Sequence, residues 1–285
     1  VDGERHARHR EHGLGRVDGQ RPQPRPLASD EQYGFGHLAS VPHAPYRYGA
    51  AVADIWSLLQ ARRRADPGVP MVTYVDLAAQ ERTELSVASV ENAAAKIANA
   101  LQQEYDLGPG ARVALHLPLH WQRSTWCAGI WTAGCVVVPG APEADLIVAD
   151  PDAAGHVVGR DVAVVSMHPF GLPHSGPLPP GAEDVTLTVR QQPDAFLGAP
   201  PAPTDAALTT DDRTWDQSEL LEWARDRAGR WGLSAGGRLL VDDATDPLDA
   251  WVGCLAAPLA LGASVVLVRG DGSDVADQER ITARA

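Results

Sequence analysis

Lysine is almost missing from this chain of 285 residues: 24 positions are Lys or Arg, yet the only lysine is Lys96. Arginine covers exposed surface as well as lysine does, so the scarcity says little about fold. It does exclude chemistry that needs a compact ammonium at any other position, because the planar guanidinium does not replace one at a site built for a point charge. Cysteine is scarce too. Cys127, Cys135 and Cys254 fall in apolar stretches without C-x-x-C spacing, which excludes a disulfide framework and predicts free buried thiols in a reducing cytosol. Basic charge is outweighed by acidic charge, leaving a formal net charge of −13. Such a surface disfavours nucleic acid, whose non-specific affinity comes from phosphate neutralisation. The first residues are polar and charged rather than an apolar run, so no signal peptide is expected.

What is present includes two uncharged runs, 124–142 and 251–268, each near the length of a bilayer span. They read better as core. Each is a buried helix broken by Gly134, or by Pro258 and Gly262, followed by a β-branched strand, and neither has a basic flank. No membrane partner is expected. With 44% hydrophobic residues the chain can bury one sizeable core.

The opening stretch, residues 1–48, is foreign to the rest: it holds seven arginines and five of the ten histidines, with Gly and Pro and no apolar period. The composition predicts disorder. Because Val1 stands where a Met would and no Met precedes Met71, the expectation is a start assigned too far upstream, with the product beginning near Tyr48. His6, His9 and His12 match no zinc spacing.

From 49 to 285 one unit occurs twice, at about 82–138 and 213–268. In the first copy Ser86 caps a helix from Val87 to Tyr105 with Val90, Ala94, Ile97 and Leu101 on one face. Gly110 then launches a strand Val113–Leu117, and a second helix ends at Gly134 before Val136–Val138. In the second copy Asp216 and Glu219 form a capping box ahead of Leu220, Ala224, Ala228 and Trp231. Gly236, Leu239–Val241, a further helix, Gly262 and Val265–Val268 follow in the same order. Two copies are too few for a solenoid. The alternation predicts an α/β fold of two duplicated βαβ-like subdomains with mainly parallel sheets.

Leu85-Ser86 with its helix, Leu107-Gly108-Pro109-Gly110-Ala111-Arg112-Val113-Ala114-Leu115, Leu117-Pro118 and Ala133-Gly134-Cys135-Val136-Val137-Val138-Pro139 together resemble the opening of adenylate-forming enzymes: acyl-CoA synthetases, luciferases and adenylation domains. The likeness resumes at Asp205–Leu208 and runs through Leu255–Ala263 to Glu279–Thr282. The whole resembles the short AMP-binding-enzyme-like proteins of actinobacteria. The resemblance implies a glycine-rich phosphate loop with a lysine after the strand Ala206–Leu208. Thr209, Thr210, Asp211 and Asp212 stand there instead. They offer no glycine to let backbone approach a phosphate and two carboxylates to repel one. Read from turn chemistry alone, the segment is a hairpin. Where the family has an aromatic-His segment lining the acyl pocket, this chain has Asp242-Asp243-Ala244-Thr245-Asp246-Pro247, a helix start capped by Asp246 or Asp243. A metal reading of Asp242, Asp243, Asp246 and Asp249 is weaker than that capped and solvated face. The family's later Tyr-Gly-x-Thr-Glu motif and C-terminal lysine are not seen before Ala285.

Other candidates are His116, His120 and Trp121, near the carboxyl end of a predicted strand, where open α/β sheets place ligands. They are a candidate pocket wall, against the plainer reading of Trp121 as a helix anchor and His120 as a solvated loop residue. Ser166, His168 and His174 follow the strand Val162–Val165 without a nucleophile-elbow pattern or a carboxylate to orient a base. The resulting expectation is a cytoplasmic pseudoenzyme or accessory protein with no catalytic residues, no metal and no cofactor, and an unidentified protein partner. The alternatives are a diverged acid–thiol ligase-like enzyme completed by a partner chain, or a structural subunit.

Overall fold

A computed structural model describes residues 54–140, 143–157 and 162–285. The expectation for residues 1–48 lies outside the described residues. Helix α1 (Ile55–Ala65) leads into strands β1 (Pro70–Asp76) and β2 (Glu81–Ser86), then α2 (Val87–Gln103), β3 (Arg112–His116), α3 (Trp121–Thr132) and β4 (Val136–Val138). A middle stretch adds β5 (Leu146–Ala149), α4 (Pro151–Ala154), β6 (Val162–Val164), β7 (Ala182–Asp184) and α5 (Thr186–Gln191). The remainder is β8 (Ala206–Thr209), β9 (Thr214–Asp216), α6 (Gln217–Arg230), β10 (Arg238–Asp242), α7 (Pro247–Gly253), α8 (Ala256–Leu261), β11 (Ser264–Arg269) and β12 (Ala283–Arg284).

Local chemistry accounts for the helix ends. The Ser86 hydroxyl accepts from the Ser89 amide at 3.2 Å. Asp216 and Glu219 close the capping box in both directions, at 2.7 and 3.1 Å. Asp246 caps α7 with Pro247 behind it. Gly262 ends α8 at φ +63°, a left-handed turn that glycine makes without strain. One expected helix is two. Pro258 has no amide hydrogen to reach the Cys254 carbonyl, and its ring would clash there, so α7 stops and α8 starts afresh after Leu255. The freed Cys254 carbonyl accepts from the buried Ser124 hydroxyl at 2.8 Å.

The strands form two sheets, in the orders β12-β10-β11-β1-β2 and β7-β6-β5-β3-β4-β8-β9. All neighbours are parallel except the two hairpins, β1–β2 and β8–β9. The fold is thus mixed α/β with mainly parallel sheets, as the sequence indicates. β4 lies between β3 and β8, and β11 between β10 and β1, each parallel to both neighbours.

The repeats are interleaved. The first copy's β3-α3-β4 lies in the seven-stranded sheet while its opening strand β2 lies in the five-stranded one. The second copy does the reverse: β10-α7-α8-β11 lies in the five-stranded sheet and β9 in the seven-stranded one. α2 and α6 carry the chain between sheets. A buried polar chain ties the elements: Gln217 accepts from the Ile55 amide at 2.9 Å and donates to the Trp131 carbonyl at 2.8 Å, and the Trp131 indole donates to the Ala207 carbonyl at 2.8 Å. One main core joins the helices to a face of each sheet. Smaller cores cover the opposite faces.

Candidate functional site

The segment Thr209–Thr214 is a closed hairpin turn between β8 and β9. β8 and β9 pair through Thr209 and Thr214, whose hydroxyls lie 2.9 Å apart. The Thr210 amide donates to the Arg213 carbonyl at 2.9 Å, and the Thr210 hydroxyl reaches the same oxygen at 3.4 Å. Asp211 and Asp212 point into solvent at the tip. The Arg213 guanidinium lies 4.9 Å from the Trp215 ring centre and 3.6 Å from the Glu219 carboxylate. An anion cradle needs several convergent amide groups and favourable charge. This turn spends the Thr210 amide internally and carries two carboxylates at its tip.

The aspartates after β10 are engaged one by one. Asp242 accepts from the Ala244 amide at 3.1 Å and the Gly272 amide at 3.2 Å, Asp243 from the Gly270 amide at 2.7 Å, and Asp246 from the amides of Leu248 and Asp249. The Asp249 carboxylate sits 3.1 Å from the Arg227 guanidinium. Among the described residues no cluster of three or more His, Cys, Asp or Glu side chains is arranged to hold a metal. Lys96 is engaged locally as well. It donates to the carbonyls of Gln192 at 2.5 Å and Arg190 at 3.2 Å and pairs with Asp194 at 2.7 Å, pinning the end of α5 to α2.

His120 departs from the solvated loop residue of the plainer reading. It is buried and caps α3, its Nδ1 accepting from the Gln122 amide at 3.2 Å. The ring sits 4.4 Å from Tyr74, edge to face, and 5.3 Å from Trp121. Burial, reinforced by the Arg269 charge, brings its pKa down to about 4. Burial and the neighbouring Asp76 push Tyr74 up to about 12. Tyr74 donates to Asp76 at 3.3 Å, and Arg269 lies 3.7 Å from the same carboxylate. These four residues make a polar seam at the carboxyl ends of β1, β3 and β11. His116, at the end of β3, is half-buried and also lowered by burial. Trp121 lines a cavity of about 200 Å³ with Ile97, Trp126, Val165, Val185 and Val189, and Phe170, 81% exposed, stands at its mouth. Neither histidine lines that cavity.

Ser166, His168 and His174 do come together, around a second cavity of about 450 Å³. They form no catalytic relay. The Ser166 oxygen accepts from the His168 backbone amide at 3.3 Å rather than from an imidazole. His168 Nδ1 accepts from the Phe170 amide at 3.1 Å. The nearby Asp184 holds the His174 backbone amide at 2.5 Å and the Thr186 amide at 2.7 Å. Asp150, Asp152 and Arg269 share this cavity, and no motif in the sequence singles them out. Asp150-Pro151 directly after the apolar run Leu146–Ala149 is a helix-cap signal at a strand's carboxyl end and could have marked the first two. Nothing local marks Arg269, which arrives from the other sheet.

Comparison with known proteins places this arrangement. The AMP-binding enzyme family model matches residues 59–157. A TIGR03089 family protein of Mycobacterium tuberculosis is 35% identical over 221 residues, covering 74% of this chain and 88% of that protein. The chain belongs to that family. Among solved structures, an acyl-CoA synthetase of Brucella canis matches 81% of the chain with a TM-score of 0.64 at 17% identity. A fatty acyl CoA synthetase of Mycobacterium tuberculosis matches 80% with a TM-score of 0.57 at 15% identity. The likeness to these synthetases is one of fold. The chain spans about half the length of these synthetases, 47% and 48% respectively.

Proposed function

We propose that the protein is a non-catalytic binding or accessory member of the AMP-binding-like fold, one that keeps the acyl-CoA synthetase scaffold without the activation chemistry. The observation that carries this reading is the closed turn Thr209–Thr214 with Asp211 and Asp212 at its tip. Activating a carboxylic acid with ATP requires oriented donors around the departing pyrophosphate, and a single such donor contributes roughly 3–4 kcal/mol in the transition state. The turn offers carboxylates where that charge would develop. Lys96, anchored on α5, supplies no substitute. The segment after β10 supports the same reading, since its aspartates are committed to backbone amides and to Arg227.

A carboxylate-dependent pyrophosphate exchange assay with magnesium and ATP, across fatty and aromatic acids, tests the proposal. The expected result is exchange at background. Exchange abolished by boiling and retained in Lys96→Ala would overturn it.

A further inference from the structure

Helix α5 lies against α2 without filling the space between them. None of its six residues is buried, and Lys96 of α2 holds its end like a strut, the ammonium engaged by the carbonyls of Gln192 and Arg190 and by Asp194. The opposite wall cannot shift to close the gap, because α2 and α3 are locked where Ile97 meets Gly129 with no room for even a methyl group. What remains is the cavity of about 200 Å³, walled by Ile97, Trp121, Trp126, Val165 and Val189. Phe170 stands at its mouth with 81% of its surface exposed. A turn holds it there: the Phe170 amide donates to His168 Nδ1 at 3.1 Å and the Gly171 amide to the His168 carbonyl at 2.8 Å. Apolar walls left uncovered beside an exposed aromatic ring mark a binding surface.

One polar group of this lining lacks a partner. Trp121 Nε1 is buried and bonds to nothing among the described residues, and a buried donor left unpaired costs free energy. A Cβ on Gly171 would fall 3.5 Å from Trp121 Cη2 and 3.9 Å from Cζ2. Nε1 lies on that same side of the indole by covalent geometry, and Gly171 lines the cavity, so the donor is turned toward its mouth. The neighbouring Gln122 uses Nε2 on the Ser166 carbonyl at 3.4 Å and keeps Oε1 for a further donor. Size and charge narrow the ligand. A dry apolar cavity of about 150 Å³ holds benzene, so about 200 Å³ leaves room for one ring and a small substituent. A charged head group is disfavoured inside, because Lys96 is already paired and Arg190 is exposed.

We propose that this cavity binds a small neutral single-ring aromatic carrying one hydroxyl, a ligand of the phenol class. The ring packs among Trp121, Trp126 and Phe170, and its hydroxyl accepts from Trp121 Nε1 and donates to Gln122. No residue of β8 or β9 lines the cavity, so its occupancy does not depend on whether the protein adenylates.

The full chain is titrated separately with p-cresol and with toluene, the same ring without the hydroxyl, and followed by amide chemical shifts. p-Cresol is expected to bind with shifts confined to α2, α3, α5 and the turn at Phe170. Its affinity is expected to exceed that of toluene about tenfold, since its hydrogen bond also satisfies a buried donor. Trp121→Phe keeps an aromatic wall and removes the N–H, and is expected to bring the two ligands within about twofold of each other. Val189→Trp, which fills the cavity from α5, is expected to abolish binding of both with an unchanged circular dichroism spectrum. Absence of shifts with p-cresol at millimolar concentration overturns the proposal. So does equal affinity for the two ligands in the unaltered chain, a preference that survives Trp121→Phe, or binding that survives Val189→Trp.

Discussion

Single residues in this protein are constrained by where burial puts them. His120 is the clearest case. With its pKa lowered to about 4 in the folded state against about 6.5 unfolded, the unfolded chain binds the proton first, so stability is complete above the unfolded value and falls as pH drops toward the folded one. The full shift corresponds to about 3 kcal/mol. His116 is shifted in the same direction and adds to the slope. Urea unfolding at intervals between about pH 7 and pH 5 is expected to show the loss, ahead of most carboxylate titration. His120→Asn, which retains a capping side chain, is expected to remove most of that slope. A slope unchanged in the variant would place the pH dependence elsewhere. The cysteines behave as the sequence implies: all three are free and buried. Burial and Asp145 push Cys135 up to about 12, and burial raises Cys127 as well, so neither thiol is poised as a nucleophile.

Among the elements, α2 and α3 show how tightly the first copy is assembled. A Cβ on Gly129 would fall 2.4 Å from Ile97 Cβ and Cγ2 and 3.3 Å from the Ala94 carbonyl oxygen. The stem of a β-branched side chain cannot swing aside, so the helices would have to move apart. Gly129→Ala is expected to destabilise by about 1–3 kcal/mol through overpacking. Gly155→Ala, where the added carbon meets its neighbour at an ordinary 3.5 Å, is the control and is expected to be near neutral. Equal denaturation midpoints for the two variants would show that α2 and α3 are packed less closely than described. The split between α7 and α8 is an element-scale effect of another kind. Pro258 forces it, and the carbonyl released at Cys254 is satisfied by Ser124 from α3.

At the scale of the whole molecule the decisive feature is interleaving. Neither sheet can be completed by one copy, because β1 and β2 extend the five-stranded sheet and β8 and β9 the seven-stranded one. Cutting the chain in the connection between α5 and β8 would leave the first fragment without β11, the parallel partner of β1, and the second without β4, the parallel partner of β8. Each fragment alone is expected to be unfolded or aggregated, since it would expose unpaired, apolar strand edges. The two expressed together are expected to form a folded complex that melts cooperatively. A fragment that folds alone, judged by circular dichroism and a cooperative melt, would mean that each copy carries its own complete core. Among the described residues no helix is long and apolar enough to cross a membrane, in keeping with the reading of 124–142 and 251–268 as core: both run through buried helices and central strands.

The sequence by itself determined the features whose causes lie within a few residues. Ser86, the Asp216–Glu219 box and Asp246-Pro247 mark helix starts because a cap bonds amides two or three positions away. The apolar strands, the order of elements in the two copies and the turn around Asp211-Asp212 were readable for the same reason. Tertiary structure alone decided what depends on pairing between distant strands. Nothing near Val72 or Val265 states that they are sheet partners, and α1 and β1 carry no signal as strong as a repeated unit. The burial of His120 comes from Tyr74, on the other sheet, packing over its ring. The 450 Å³ cavity gathers Asp150 from the end of β5, Ser166 from the end of β6 and Arg269 from the end of β11 on the other sheet. Local free energies set the elements, while burial of apolar surface over the whole chain selected which edges meet.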